Sequence, residues 1–334
     1  MGAGMSWISA CAARVVRRSV IGIVFAYAAV ATAAHAQSTD RYVRLIVGST
    51  VGGGVDRTAR LLATRLTDEL RQSVVVENRD GAGTRLASDF VARSAPDGRT
   101  LLFVTGEATI DLAFDSAAKP NVLTDLVPVS QIAECQMLLV VRTQSTDRSV
   151  TDLLARARAN PGKLNYSTAG IKTTMHLVGE LFKERAGVDI VHVPFKGTVP
   201  ALRSLIAGDV DMAFAALPSA QPFIESGALR ALAVAGTARS PLMPDVPTLA
   251  EAGVKGVAAN IWYGVLAPMG TPPETIDALG GALKSASAAP DYRRNLASMG
   301  LEPAVGSPLR FGELLRDDVT KYRAVIHASG MRAE

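Results

Sequence analysis

Two loops of this chain carry residue types that suit the binding of a carboxylate or a phosphate. The first loop follows the apolar run Val43–Val47 and consists of Ser49, Thr50, Val51, Gly52 and Gly53. Glycines let the backbone turn sharply and let a ligand approach the main chain. A helical pattern comes next, and the first amides of a helix point outward, unpaired, at the positive end of its dipole. The loop therefore predicts an anion site, although a tight connection that binds nothing is the alternative.

The second loop follows the strand-like pair Asn165–Tyr166 and repeats this arrangement with more hydroxyl groups. Its candidate ligand-binding residues are Ser167, Thr168, Ala169, Thr173 and Thr174. Lys172 would add a full positive charge if its side chain pointed inward. The alternative is that Thr173 or Thr174 only caps the following helix. Two such loops from different domains could close on one ligand like a clamp.

A third polar loop, Thr105–Thr109, follows another predicted strand. Ligands of open α/β sheets sit at the carboxyl ends of strands, so its threonine hydroxyls and backbone are placed to meet one. Glu107 would repel an anion unless it were protonated or paired, and we assign it no role in anion capture. Arg85 fits better with a solvated surface position, and His176 with a structural role inside a helix.

The sequence offers little support for an enzyme. After the N-terminal segment only three histidines remain, His176, His192 and His327, and they are widely spaced. There is no Gly-x-Ser-x-Gly elbow and no His-Glu-x-x-His metal pair. Cys135 is the single remaining cysteine, which excludes an intrachain disulfide and a cysteine-rich metal site. We therefore predict no catalytic residue, no metal and no cofactor.

The elements that must position these loops alternate between the strand period and the helix period. This alternation is typical of α/β architecture with mainly parallel sheets. Helix starts are predicted at Ser149, Thr271 and Ser307, and a helix stop at Asn160-Pro161-Gly162. The predicted strands are Val43–Val47, Val74–Val76, Thr100–Val104, Leu138–Val141, Asn165–Tyr166, Ile190–Val193, Met212–Phe214, Ala231–Val234 and Tyr263–Leu266.

The first 36 residues have the features of a cleavable signal peptide. Arg14, Arg17 and Arg18 precede an apolar run, and Ala34-His35-Ala36 fits the small-x-small cleavage rule. A retained anchor helix is the alternative, although the run is short for a membrane span. Without this segment the 35 Lys and Arg residues fall to 32 against 31 acids. This balance and an aromatic content of 5% argue against a nucleic-acid-binding protein.

In these motifs and their order, the chain resembles the Bug, or TctC-type, periplasmic substrate-binding proteins of tripartite tricarboxylate transporters. Gly52-Gly53-Gly54-Val55-Asp56 is similar to the P-G-G-x-x-D motif that opens those proteins. The resemblance continues in the same order over essentially the whole mature chain. The segments that carry it span residues 74–83, 96–102, 164–170, 176–182, 191–197, 229–234, 244–253 and 262–268.

The resemblance implies a two-lobed, type II-like periplasmic binding protein. Each lobe would be a mainly parallel sheet flanked by helices, and hinge strands would join the lobes. Residues 1–36 would be the signal peptide, 37–138 and 262–334 the first lobe, and 139–261 the second. The protein would be a periplasmic monomer that captures a small organic carboxylate for membrane transporter subunits. The site residues carried over are Ser49, Thr50, Val51, Gly52, Gly53, Ser167, Thr168, Ala169, Thr173 and Thr174.

Several departures from the family pattern bear on the ligand. The usual Phe-Asp-Asn reads Phe214-Ala215-Ala216, and Lys172 stands where a glycine is usual. Replacing that aspartate with alanine disfavours an amino acid, so Ala215 joins the predicted site. Together with Ser49 in place of an aromatic residue, this predicts a roomier pocket for a bulky or aromatic acid. A periplasmic sensor that presents its ligand-bound form to a membrane signalling protein is the alternative function.

Overall fold

The computed structural model describes residues 42–81 and 84–331. The predicted signal peptide lies outside the described residues. Ten strands are present in the described part of the chain. Their bounds are β1 Tyr42–Val47, β2 Ser73–Asn78, β3 Thr100–Thr105, β4 Leu126–Arg142, β5 Asn165–Thr168, β6 Val191–Pro194, β7 Met212–Ala216, β8 Leu229–Val234, β9 Asn260–Pro268 and β10 Glu302–Pro303. All nine predicted strands are found among them.

Helices alternate with these strands as the sequence periods predict. Their bounds are α1 Gly54–Leu70, α2 Arg85–Ala92, α3 Glu107–Phe114, α4 Val150–Ala159, α5 Thr174–Ala186, α6 Thr198–Ala207, α7 Leu217–Glu225, α8 Pro273–Ala288, α9 Pro290–Ser298 and α10 Pro308–Ser329. Within residues 42–81 and 84–331, no helix has both the length and the apolar character needed to cross a membrane.

The strands form a mixed sheet in the order β2-β1-β3-β9-β4-β7-β5-β6, with β8 and β10 also paired with β4. Parallel pairing joins β1 to β3 and β5 to its neighbours β6 and β7. Antiparallel pairing occurs around β4 and β9. The predicted α/β class is confirmed. The sheet has two parts that share β4, one formed by β2, β1, β3, β9 and β10 and the other by β7, β5, β6 and β8. The antiparallel pairs arise where the chain passes between these two parts.

Strand β4 belongs to both parts of the sheet. Its first part, Leu126–Gln136, pairs with β9, and its second part, Met137–Arg142, pairs with β7 and β8. We predicted only the second part, which is a continuous buried apolar run. The first part contains Pro128, and its register with β9 shifts between Pro128 and Ser130. Such an irregular, partly polar segment becomes a strand through long-range pairing and not through its local pattern.

Two of the three predicted helix starts are confirmed, and one is wrong. Ser149 accepts a hydrogen bond from the Asp152 amide and forms a capping box, and Ser307 accepts one from the Arg310 amide. Thr271, however, does not cap α8, which begins at Pro273. The Thr271 hydroxyl instead donates to the Pro268 carbonyl at 2.8 Å. The predicted stop after α4 is confirmed, because the helix ends at Ala159.

Candidate functional site

A cavity of about 210 Å³ lies where β3, β5 and β7 end and the next helices begin. We call it the central cavity. Residues from both parts of the sheet line it, and so it joins the regions that the sequence analysis assigned to different lobes. Its lining residues are Gly54, Val55, Thr105, Gly106, Glu107, Ala169, Thr173, Thr174, Met175, Thr198, Ala216, Ser219, Ile261 and Tyr263.

The first turns of five helices contribute to this lining. These helices are α1, α3, α5, α6 and α7, each at least eight residues long. Among the five, only α5 has a side-chain cap, in which Thr173 accepts from the His176 amide. The first-turn amides of the other four helices are not taken by a side-chain cap. Because the positive ends of five helix dipoles converge, the cavity favours a negatively charged group.

A buried carboxylate, that of Asp56, holds the first loop in place. Asp56 is 1% exposed. Its Oδ2 accepts from the Gly52 amide at 2.8 Å and from Arg60 at 3.0 Å, and its Oδ1 accepts from Asn78 at 2.9 Å. Burial by itself would raise the pKa of Asp56, but the bonds from Arg60, Gly52 and Asn78 outweigh it and lower the pKa. The ionised side chain therefore fixes the start of α1, a role that sequence reasoning did not assign to it.

The first predicted loop borders the central cavity without lining it. Gly54 and Val55, which follow the loop directly, line the cavity, whereas Val51 is 72% exposed. Gly52 has φ +83°, a conformation that suits glycine, and its amide bonds Asp56. The other loop residues are an exposed Thr50, a half-buried Gly53, and Ser49, whose Oγ is buried and has no hydrogen-bond partner within residues 42–81 and 84–331.

In the second predicted loop, the structure separates residues that line the cavity from residues buried beneath it. Ala169, Thr173 and Thr174 line the cavity. Ser167 and Thr168 are fully buried. Ser167 donates to the Ala201 carbonyl, and Thr168 Oγ1 lies 2.7 Å from His192 Nε2. Thr173 also caps α5, as the alternative interpretation held.

The two alanines at the end of β7 face opposite sides of the sheet. Ala216 lines the central cavity. Ala215, the predicted site residue, is fully buried in the apolar cluster that includes Leu138 and Val234. Successive strand residues alternate between faces, so only one alanine of the pair can meet the cavity.

Among the described residues that line the cavity, Glu107 is the one acidic residue. Its side chain is exposed at the cavity, and desolvation of the carboxyl by the surrounding protein raises its pKa. A weak hydrogen bond from Thr105, 3.5 Å long, opposes the shift, and the negative charge of Asp111 adds to it. The raised pKa favours the neutral carboxyl, which can donate a hydrogen bond.

The sequence analysis missed further lining residues, namely Val55, Met175, Thr198, Ser219, Ile261 and Tyr263. Thr198 and Ser219 lie in the first turns of the helices that follow β6 and β7. A search for hydroxyl groups at every strand-to-helix junction could have found these two. Tyr263 is placed by the antiparallel pairing of β9 between β3 and β4, which no local pattern reveals.

Comparison with known proteins identifies the family of this chain. The family model described as the tripartite tricarboxylate transporter family receptor, TctC, matches residues 58–331. The chain belongs to this receptor family. The resemblance seen in the sequence is thereby confirmed.

Relatives of this TctC-family chain align with it over nearly their whole length. It is 34% identical to Protein BugT of Bordetella pertussis, over 94% of this chain and 97% of that protein. An R. palustris protein solved with adipate is 34% identical. The match covers 89% of this chain and 99% of that protein, with a TM-score of 0.77. MatC from Rhodopseudomonas palustris, solved with malate, is 30% identical over 86% and 99% of the two chains, with a TM-score of 0.72. The family consists of periplasmic solute-binding proteins, and these neighbours bind small carboxylates.

Lys172 and Arg85 lie outside the cavity lining of this TctC-family chain. The Lys172 backbone has φ +59°, in the left-handed region that favours glycine. Its ammonium lies 5.3 Å from the centre of the Phe114 ring on α3, and its charge acts on Asp111. Arg85 instead donates to the Lys119 carbonyl from an exposed position.

A stacked pair of histidines lies beneath the second loop and predicts sensitivity to acid. The rings of His176 and His192 are 3.9 Å apart. Burial lowers the pKa of His176, and it lowers that of His192 from 6.5 to about 3, with the neighbouring His176 and Lys183 adding to the His192 shift. Below pH 6.5 these histidines therefore bind protons in the unfolded chain but not in the folded chain.

We expect the free energy of unfolding to fall by about 2 kcal/mol between pH 6.5 and about pH 4.5 because of His192 alone. Denaturant unfolding of the wild type and of His192→Gln across this range measures the effect. The variant should show a correspondingly shallower pH dependence. The matched control is His327→Gln, which changes an exposed histidine. Equal slopes for the wild type and His192→Gln would contradict the prediction.

Proposed function

We propose that this protein captures a small organic carboxylate between two lobes in the periplasm and delivers it to the membrane subunits of a tripartite tricarboxylate-type transporter. The observation that carries the proposal is the convergence of five helix N-termini on the central cavity. Of the residues in 42–81 and 84–331 that line this cavity, none is a lysine, an arginine or a histidine. The attraction for an anion therefore comes from helix dipoles and first-turn amides.

Closure of two lobes is the expected mechanism of capture. Strand β4 and the segment between β8 and β9 connect the two parts of the sheet, which makes them the proposed hinges. Gly54, Val55 and Glu107 line the cavity from the predicted first lobe, and Thr173 and Thr174 line it from the second. A ligand that contacts both sets stabilises the closed form by the difference in its contacts between the two states.

Contacts between the predicted lobes surround Thr174. The Tyr322 hydroxyl on α10 interacts with the Thr174 and Asp318 side chains. A Cβ added at Gly106, at the start of α3, would lie 3.6 Å from Thr174 Oγ1. Thr174 thus touches the predicted first lobe while it lines the cavity. A ligand that draws α5 inward would strengthen these contacts.

The volume and lining of the cavity favour a compact acid with an apolar body. A volume of about 210 Å³ is below the roughly 300–1,000 Å³ of pockets for drug-sized ligands. Apolar surface in the lining comes from Val55, Ala169, Met175, Ala216 and Ile261. Short dicarboxylates, small aliphatic acids and benzoate are therefore better candidates than a bulky aromatic acid.

Thermal-shift measurements with adipate, malate, citrate, benzoate and a set of amino acids test the proposal. At least one carboxylate should raise the melting temperature in a concentration-dependent way. Ala216→Leu, which fills the cavity, should remove the shift. Ala117→Leu, at an exposed position, should keep it. No response to any acid, or an undiminished response in Ala216→Leu, would overturn this site.

Delivery to a transporter is tested in cells. A strain that lacks this protein should take up the labelled acid more slowly than a complemented strain. Unchanged uptake with retained binding would argue instead for the signalling role.

A further inference from the structure

Glu107 places a carboxyl group inside a cavity that is otherwise built to attract anions. It begins α3, and in the described part of the chain it is the one ionisable carboxyl that lines the central cavity. Within the part of the chain that the structure describes, no salt bridge reaches Glu107. Its polar partner is the Thr105 hydroxyl, at 3.5 Å.

The titratable and charged groups around Glu107 come from each neighbouring element. Asp111 lies one turn further along α3, and Tyr263 faces Glu107 from β9. Burial raises the pKa of Tyr263 well above its usual value, so its phenol remains neutral. Lys172 from the second loop and Arg85 from α2 act on Asp111, and the structure gives neither of them a contact with Glu107.

A ligand carboxylate that entered this cavity would lie beside Glu107 with no cation between them. Two carboxylates that meet in one cavity without a neighbouring cation cannot both stay ionised without an electrostatic cost. Either the ligand supplies a positive charge, or one carboxyl takes up a proton. A plain organic acid carries no positive charge, and Glu107 lies where a neutral carboxyl would donate a hydrogen bond to it.

We propose that Glu107 determines the specificity of the site by binding the acid through its protonated carboxyl, so that one proton is taken up from solvent with each ligand anion. The inference rests on the proposed function, since it requires a carboxylate in the central cavity. No covalent bond forms. The proton lies between a Glu107 oxygen and a ligand oxygen, and it is released when the ligand leaves.

The direction of the pH dependence follows from this arrangement. Burial already raises the pKa of Glu107 in the free protein, and a bound anion raises it further. Between these two values binding takes up a proton, and so the affinity falls as the pH rises, by up to about tenfold per pH unit. Above both values the affinity reaches a lower plateau.

Isothermal titration calorimetry from pH 5 to 8 tests the proposal, with adipate, malate and benzoate as probes. Each titration is repeated in two buffers of different ionisation enthalpy, which measures the protons taken up. The wild type should take up close to one proton in part of this range. Glu107→Gln keeps a hydrogen-bond donor and has no charge, so it should take up none. It should bind at least tenfold more tightly than the wild type at pH 8.

Two further variants separate the role of the donor from that of the charge. Glu107→Leu removes both, and it should bind more weakly than Glu107→Gln at every pH. Asp111→Asn removes a neighbouring charge that lies outside the cavity lining. It should keep the proton uptake but shift it to lower pH. Wild-type binding without proton uptake, or equal affinities of the wild type and Glu107→Gln at pH 8, would overturn the proposal.

A measurement without ligand keeps this test independent of the proposed function. Because the folded-state pKa of Glu107 is raised, the wild type should lose stability relative to Glu107→Gln as the pH rises from about 4.5 to 8. Parallel stability curves would overturn the raised proton affinity and, with it, the inference. If no probe bound either protein, the proposed function would fail, whereas the stability curves would still decide the state of Glu107.

Discussion

Replacing Asp56 with asparagine should weaken acid binding at least tenfold and lower the free energy of unfolding by about 2 kcal/mol. Asp56 accepts hydrogen bonds from Gly52, Arg60 and Asn78. An asparagine has one acceptor oxygen, so its amino group must face one of these donors. The Gly52 amide then loses its anchor, and the cavity-lining start of α1 moves. Calorimetry with the acid found in the thermal-shift panel and denaturant unfolding measure the two effects.

The matched control is Asp68→Asn, on the same helix. Asp68 is exposed, and its nearest cation is Arg65 at 3.6 Å. An exposed pair of this kind contributes little, so both the affinity and the stability should stay within experimental error of the wild type. If Asp56→Asn were destabilised but bound the acid with unchanged affinity, the Asp56 bonds would support the fold and not the site.

Replacing Gly264 with alanine should lower the free energy of unfolding by about 3 kcal/mol, because the core leaves no room for a methyl group. A Cβ at Gly264 would lie 2.1 Å from Cζ of Phe311. Phe311 is 1% exposed, and its ring packs edge-on against Trp262 at 5.4 Å. Strand β9 is paired on both sides, with β3 and with β4, and so it cannot shift away. Chemical denaturation of the variant measures the loss.

A second change tests whether this clash is the cause. Phe311→Leu opens space beside Gly264, so the double variant should be more stable than the sum of the two single effects predicts. Gly281→Ala in α8 is the control for glycine replacement, since nothing lies within 4 Å of its added Cβ. It should raise stability by about 0.5–1 kcal/mol. Strict additivity of Gly264→Ala and Phe311→Leu would contradict the steric explanation.

Local patterns in the sequence were sufficient for nine of the ten strands, at least in part, for most helix starts and for the family. Apolar runs bounded by turn residues predicted nine strands, because a buried strand needs such a run wherever it lies. Ser149 and Ser307 predicted helix starts, because a capping hydroxyl acts within three residues. Thr271 misled us because the helix begins one residue later than predicted: Pro272 occupies the N-cap, and the Thr271 hydroxyl donates to the Pro268 carbonyl before the helix. These determinants involve only neighbouring residues, so the sequence displays them directly.

The tertiary structure alone decided which side chains meet the cavity. Ala216 lines it and Ala215 does not, because the register of β7 fixes which face each residue takes. Thr168 has a hydroxyl suited to a ligand, but that hydroxyl is buried beside His192. Glu107 belongs to the site because strands and helices from distant parts of the chain meet around the cavity that it lines. Side-chain direction and enclosure depend on long-range packing, which no local pattern encodes.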